Sequence, residues 1–112
     1  MNLITKFLYE STTNTDTNKS VKGIIKCGVK YLILRRGIGS KGEGMWDFSG
    51  GHIKEDETAE EALRRETFEE TTVKIDNLKS LGIKELEFKD DPNVKHKIHF
   101  FTCETDSMEV YL

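Results

Sequence analysis

One segment constrains this chain more than any other. Residues 59 to 71, AEEALRRETFEET, contain no Gly or Pro and consist largely of Ala, Glu, Leu and Arg, which favour helix. Thr58 precedes them and Glu61 stands three residues on, the pattern of a capping box. On either side the apolar runs are short and broken by glycines, as in strands. One well-specified helix set between strands makes the class mixed α and β, that is, α+β.

The flanking runs can be placed in order. LITKFLY, residues 3 to 9, reads as a short first strand, and STTNTDTNKS, residues 11 to 20, as a polar loop. VKGIIKCGVKYLILRR, residues 21 to 36, reads as strand, tight turn at Cys27-Gly28, and strand. Tyr31, Leu32, Ile33 and Leu34 form a continuous apolar run, as in a strand buried on both faces. GIGSKGEG, residues 37 to 44, is a loop, and MWDFSGGH is a short extended piece ending in two glycines and a histidine. LKSLGIKELEF, residues 78 to 88, is a strand bent near Lys84-Glu85; KDDPN, residues 89 to 93, is a turn; KIHFFTCE, residues 97 to 104, is the next strand. No internal repeat is present, and 112 residues predict one domain, 1–112.

Composition narrows the function classes. Hydrophobic residues are 36% and charged residues 33%, a polar composition that still supports a core. No run approaches the ~20 apolar residues of a membrane span, and MNLITKFLYE lacks the pattern of a signal peptide, so a cytoplasmic protein without membrane partners is expected. A net charge of −3 is a poor match for a broad nucleic-acid surface, but it leaves room for a phosphate-bearing ligand whose charge a metal ion offsets. Cys27 and Cys103 stand in strand-like runs at no metal-ligand spacing and read as buried thiols; a disulfide requires that their strands be neighbours.

The helix raises the functional question. With Ala59 at zero, Ala62 and Leu63 fall at about −60° and +40°, Glu66 at about −20°, Glu70 at about +20° and Glu69 at about −80°. These glutamates continue the apolar stripe, whereas Glu60, Glu61, Arg64 and Arg65 fall on the other side. Inward carboxylates at i, i+3 and i+4 repel one another and are costly unless paired. Two arrangements relieve them: a salt-bridge network with Arg64, Arg65 or nearby lysines, or a hard divalent cation such as Mg²⁺ or Mn²⁺.

The wider spacing resembles a known motif. Gly51, Glu57, Arg65-Glu66 and Glu69-Glu70 stand at the spacing of the nudix box, spanning residues 51 to 73, and MWDFSGG is similar to the lead-in of the nudix hydrolase family. The resemblance covers residues 21 to about 104 and implies a nudix-like α/β/α sandwich around a mixed sheet with one catalytic helix. It implies that Glu66, Glu69 and Glu70, with the Gly50 carbonyl, hold Mg²⁺ or Mn²⁺, and that Glu57 and Arg65 brace the loop against the helix. It further implies hydrolysis of a pyrophosphate bond in a nucleoside diphosphate-linked substrate. Elementary chemistry agrees, since phosphoryl and nucleotidyl transfer require charge cancellation and positioning above all.

Four departures from the family pattern stand out. Thr72 occupies the place of the Gly that ends the helix, so a rearranged helix end is expected. Thr67 replaces an aliphatic residue, a loss of packing. Ser49 replaces Pro, which should loosen the approach to the glycines. Family domains commonly continue past the strand resembling KIHFFTCE, and here eight residues follow Glu104, so part of the C-terminal region is expected to be lacking; a homodimer that closes the fold, or a shortened member, would account for it.

Other residues are candidates by position. Arg35, Arg36 and Lys41 border the glycine loop and could reach substrate phosphates, against a reading as solvated cations. His52 follows the glycines and is either a phosphate contact or a solvent-facing loop residue. His96 and His99, three apart on a strand, point to opposite faces and are structural. Trp46 and Phe48 read as core rather than as base-stacking residues. Phe68 lies opposite the carboxylates, in a second packed layer or on a partner surface. Glu104 and Glu87 are candidates for the general base, as are Glu69 and Glu70 themselves. The expectation is therefore a metal-dependent hydrolase with a small nucleotide-type substrate, a capped RNA end remaining open; the alternative is a nudix-like nucleotide- or protein-binding module with little or no turnover.

Overall fold

The computed structural model describes residues 18–39, 42–88 and 91–106. Its centre is a long strand, β1 (Asn18–Cys27). Along one edge of β1 run two short antiparallel strands, β5 (Ser49–His52) beside its first half and β2 (Lys30–Leu32) beside its end. Along the other edge lies β7 (Asp91–Glu104), parallel to β1, and β6 (Asp76–Phe88) pairs antiparallel with β7. A separate two-residue ladder joins β3 (Leu34–Arg35) to β4 (Trp46–Asp47). The helix, α1 (Ala59–Thr71), packs on β5 and β1. Among the described residues the fold is a mixed sheet with one helix, in agreement with the expected α+β class.

The core follows from strand alternation. Val21 and Ile25 on β1 and Phe101 and Cys103 on β7 bury one face of the sheet against Ala62 and Leu63 of α1, with Val73 and Ile75 closing the far end. Thr58 caps α1 reciprocally with Glu61: its hydroxyl accepts the Glu61 amide, and the Glu61 carboxylate accepts the Thr58 amide. The β1–β2 turn falls at Gly28, whose φ of 61° is a glycine conformation.

Several expectations are corrected. β1 begins at Asn18, inside the polar stretch expected to be loop, because β7 supplies a parallel backbone partner from there onward. The run from Tyr31 to Leu34 is not buried on both faces: Tyr31 is 56% exposed and Ile33 is exposed too, since among the described residues β2 lies at a sheet edge and pairs only with the end of β1. The bend in β6 lies between Ser80 and Gly82 rather than at Lys84-Glu85. Gly82, at φ 106°, supplies the conformation the bulge needs, and its amide donates to the Ser80 hydroxyl. Asp91–Asn93, expected in a turn, belong to β7, and Phe88 pairs with Asp91. Trp46 is 63% exposed and Phe68 47% exposed, so neither is core. The expected strand at 3–9 and the loop residues 11–17 lie outside the described residues.

The cysteines stand on neighbouring strands, and both are free thiols. Ile25 is the register partner of Cys103, so Cys27 is displaced two positions along β1. Two strand residues and one strand spacing separate the pair by about 8 Å, beyond disulfide reach.

Candidate active site

The site is built where β5 crosses under α1. Gly50 and Gly51 pair with Lys22 and Val21 of β1. A Cβ on Gly51 would stand 2.5 Å from Glu66 Cδ, and one on Gly50 would stand 1.9 Å from the Val21 carbonyl oxygen. Gly50 is therefore closed to any side chain by fixed backbone, and a side chain at Gly51 would displace the Glu66 carboxylate. The space Gly51 leaves is filled by the Glu66 carboxylate, which is 3% exposed.

Arg65 organises the acidic groups around it. Its Nη2 donates to Glu57 Oε1 at 2.6 Å and to the His52 carbonyl at 3.0 Å, and its Nε donates to Glu57 Oε2 at 3.0 Å. Its Nη1 reaches Glu66 Oε1 at 2.8 Å and Glu69 Oε2 at 3.4 Å. Glu57 in turn accepts the Lys54 amide, closing the loop before the helix. Hydrogen bonds from Arg65 hold the Glu57 carboxyl below its ordinary value against the opposing effect of burial, and Glu57 raises Arg65 in return. Arg65 thus links Glu57, Glu66 and Glu69 in one hydrogen-bonded network.

The three helix glutamates do not share one environment. Glu66 is buried, whereas the Glu69 side chain is 49% exposed, so the expectation that all three face inward is corrected. Glu69 sits at the margin of the apolar stripe, where a small rotation reaches solvent. Glu70 is half-buried, and its Oε1 accepts the Gly50 amide at 3.3 Å and lies 3.4 Å from the Ser49 hydroxyl. Ser49 and Thr67 are both fully buried, with their hydroxyl oxygens 3.0 Å apart. The approach to the glycines is thus tied by Ser49 rather than loosened.

The helix end is not rearranged. Thr72 takes the left-handed conformation at φ 62° and ψ 10°, and its amide donates to the Phe68 carbonyl. A threonine bears here the backbone geometry usually given to glycine.

The remaining candidates divide by place. Arg36 donates to Asp47 Oδ2 at 2.9 Å, and Lys22 reaches the same oxygen at 2.7 Å. Burial pushes the Asp47 carboxyl up, but the two cations together hold it below its ordinary value. Sequence reasoning missed Lys22 and Asp47; one signal was available, the alternation that turns Lys22 away from the core-facing Val21. Arg35 is exposed, and its Nε donates to the Gly44 carbonyl. His52 is buried on β5 rather than facing solvent, and Lys41 lies outside the described residues. His99 stacks on Phe101 and contacts the Ser80 hydroxyl, while His96 is buried, its pKa lowered by burial and then by His52. Glu104 pairs with Lys26 and accepts from Asn77. Four residues of β1, about 13 Å, separate Lys26 from the level of Gly50, so the structure does not bring Glu104 to the helix glutamates. Glu87 stands exposed near the far end of β6.

The NUDIX domain model matches residues 18–110. The chain belongs to the NUDIX family. Solved NUDIX structures share the fold: a MutT NUDIX hydrolase from Burkholderia pseudomallei superposes with a TM-score of 0.72 at 18% identity, over 86% of this chain and 73% of that one. A MutT/nudix family protein from Enterococcus faecalis gives 0.74 at 21% identity, over 96% and 46%. Among curated proteins, the oxidized purine nucleoside triphosphate hydrolase of Mus musculus is 33% identical over 70 residues, 62% of this chain and 42% of its own length. The Danio rerio protein of the same name is 33% identical over 78 residues, 70% and 40%. This NUDIX chain therefore spans about two fifths of the curated relatives it matches.

Whether the site suits a divalent ion can be judged from its donors. Carboxylate oxygens of Glu66, Glu69 and Glu70 and a carbonyl at Gly50 are hard ligands. The space a Gly51 Cβ would take is occupied by the Glu66 carboxylate. Among the described residues no three carboxylate, imidazole or thiol groups already converge as a cage. The donor types fit; the carboxylates are parted between Arg65 and Ser49. No helix among the described residues is long and apolar enough to cross a membrane.

Proposed function

We propose that this NUDIX chain is a Mg²⁺- or Mn²⁺-dependent hydrolase that cleaves a phosphoanhydride bond in a nucleoside diphosphate-linked substrate. The observation that carries this reading is the Glu66 carboxylate, buried in the space left by Gly51 beside the Glu70 carboxylate at the Gly50 amide. Arg65 is one cation set against Glu57, Glu66 and Glu69, so a divalent ion would offset acidic charge that the arginine alone leaves. In this reading Glu66, Glu69, Glu70 and the Gly50 carbonyl hold the ion, which supplies charge neutralisation for the bridging phosphates and acidifies the attacking water. Arg65 and Glu57 keep the loop of residues 53–57 docked on α1, with the His52 carbonyl fixed beside them. Lys22 on β1 beside Gly50 and Arg36 just after β3, both bonded to Asp47, are suited to substrate phosphates. Glu69, the most exposed of the three helix glutamates, is the best placed to take a proton from water. The soluble composition suits a cytoplasmic enzyme.

The names of the curated relatives put nucleoside triphosphates with an oxidised purine first among substrates to test. The decisive experiment incubates the protein with Mg²⁺ and a panel of nucleoside di- and triphosphate derivatives and separates the products. Metal-dependent cleavage, lowered ~100-fold or more in Glu70→Gln, is expected, the size of loss when one electrostatic contact to the reacting charge is removed. Wild-type turnover by Glu70→Gln would refute its role as a ligand. Silence from a folded protein that still binds Mg²⁺ would favour a nucleotide-binding module on the same scaffold.

A further inference from the structure

Two of the departures from the family pattern touch each other. Ser49 on β5 and Thr67 on α1 are fully buried, and their hydroxyl oxygens are 3.0 Å apart. Each hydroxyl carries one proton. Ser49 also lies 3.4 Å from Glu70 Oε1, and an ionised carboxylate only accepts. Ser49 cannot give its one proton to both neighbours, so for both contacts to be hydrogen bonds Thr67 donates to Ser49 and Ser49 donates to Glu70. The Gly50 amide adds a second donor to the same carboxylate oxygen, so Oε1 is fixed from two sides.

We infer that Ser49 and Thr67 are positioning residues which aim the Glu70 carboxylate through a relay of two buried hydroxyls. The inference rests on the reading of Glu70 as a metal ligand. It explains why a polar residue occurs at both buried positions at once. Without Ser49 the Thr67 hydroxyl would lose its partner there, and without Thr67 the Ser49 hydroxyl would keep Glu70 but lose its donor. Together they convert a packing contact between strand and helix into an orienting bond. Hydrogen bonds of this kind set ligand orientation and tune metal affinity.

The test reads metal binding without turnover. Mn²⁺ alone is titrated into the protein, with free Mn²⁺ followed by electron paramagnetic resonance. The double variant Ser49→Ala/Thr67→Val, which removes both hydroxyls and nearly keeps their shape, is expected to bind Mn²⁺ about tenfold more weakly. Thr67→Ser, which keeps the hydroxyl, is expected to bind as the wild type does. Glu70→Gln reports on the underlying reading. If Glu70→Gln weakens binding and the double variant does not, the relay is overturned while the ligand role stands. If Thr67→Ser binds as weakly as the double variant, the loss reflects packing and the relay is again overturned. If Glu70→Gln binds as tightly as the wild type, the ligand role fails and the relay with it. Should the double variant not fold, Ser49→Ala alone carries the same comparison.

Discussion

Beneath Gly50 two side chains depart from the family pattern together, while at the end of α1 one residue departs alone. The first pair, Ser49 and Thr67, meets in the interior, and each hydroxyl has a partner. Thr72 also finds hydrogen bonds: its amide donates to the Phe68 carbonyl and its hydroxyl to the Thr71 carbonyl. Those bonds do not remove its difficulty, which lies in the backbone. A β-branched residue at φ 62° carries strain between Cβ and the neighbouring peptide, whatever its side chain does. A polar group placed in a core can thus be answered by another side chain. A torsion angle can be answered only by changing the residue.

The largest expected effect tests the first half of that contrast. Thr67→Val removes the donor to a buried oxygen on Ser49 and should destabilise the fold by about 1–3 kcal/mol. Ser49→Ala/Thr67→Val leaves no hydroxyl without a partner and keeps the Gly50 amide on Glu70, so it should cost less than the sum of the two single losses. Urea denaturation of the two single variants and the double variant gives the coupling directly. If the double variant loses the sum of the single losses, the two hydroxyls do not compensate one another.

The second half predicts a gain. Thr72→Gly should stabilise the protein by about 1 kcal/mol, the relief of left-handed strain less the added freedom of the unfolded chain. A domain of this size should show that as a melting temperature higher by roughly 4 °C. An unchanged or lower melting temperature would mean that the Thr72 hydroxyl bond to Thr71 contributes more than the strain costs. Activity is expected to hold, since Thr72 lies beyond the last carboxylate of the helix.

The same contrast explains which parts of the molecule are legible in its amino-acid sequence. The helix and its cap are readable because Thr58 and Glu61 act within one turn, and the glycine loop because its signal is local. The acidic residues are readable as a group from helical spacing, yet their unequal burial is not. It depends on Gly51 admitting Glu66 and on Arg65 drawing Glu69 outward. Ser49 and Thr67 are 18 residues apart, and each alone looks like a defect. Only the strand lying under the helix shows that they answer each other. Tyr31, Ile33 and Trp46 mislead for the opposite reason. Their hydrophobicity suggests burial, but burial requires a covering layer, and an edge strand and a two-residue ladder do not provide one.

The smallest expected effect measures how dry the interior is around these exceptions. Cys103 is buried on the sheet face that α1 covers, and burial pushes its thiol up to about 11 from an ordinary value of 9.0. The native protein then keeps a proton that the unfolded chain releases. Stability is unaffected below pH 9.0 and falls as pH rises from there toward about 11. By pH 10 the loss specific to this thiol should reach up to about 1 kcal/mol. Lysines and tyrosines titrate in the same range, so the informative quantity is a difference. Denaturation curves at pH 8 and pH 10 are compared between the wild type and Cys103→Val, which keeps an apolar group of similar size. A fall in stability that is smaller in Cys103→Val locates the proton in the core. Identical falls would mean that the Cys103 thiol is not held protonated by burial beneath α1.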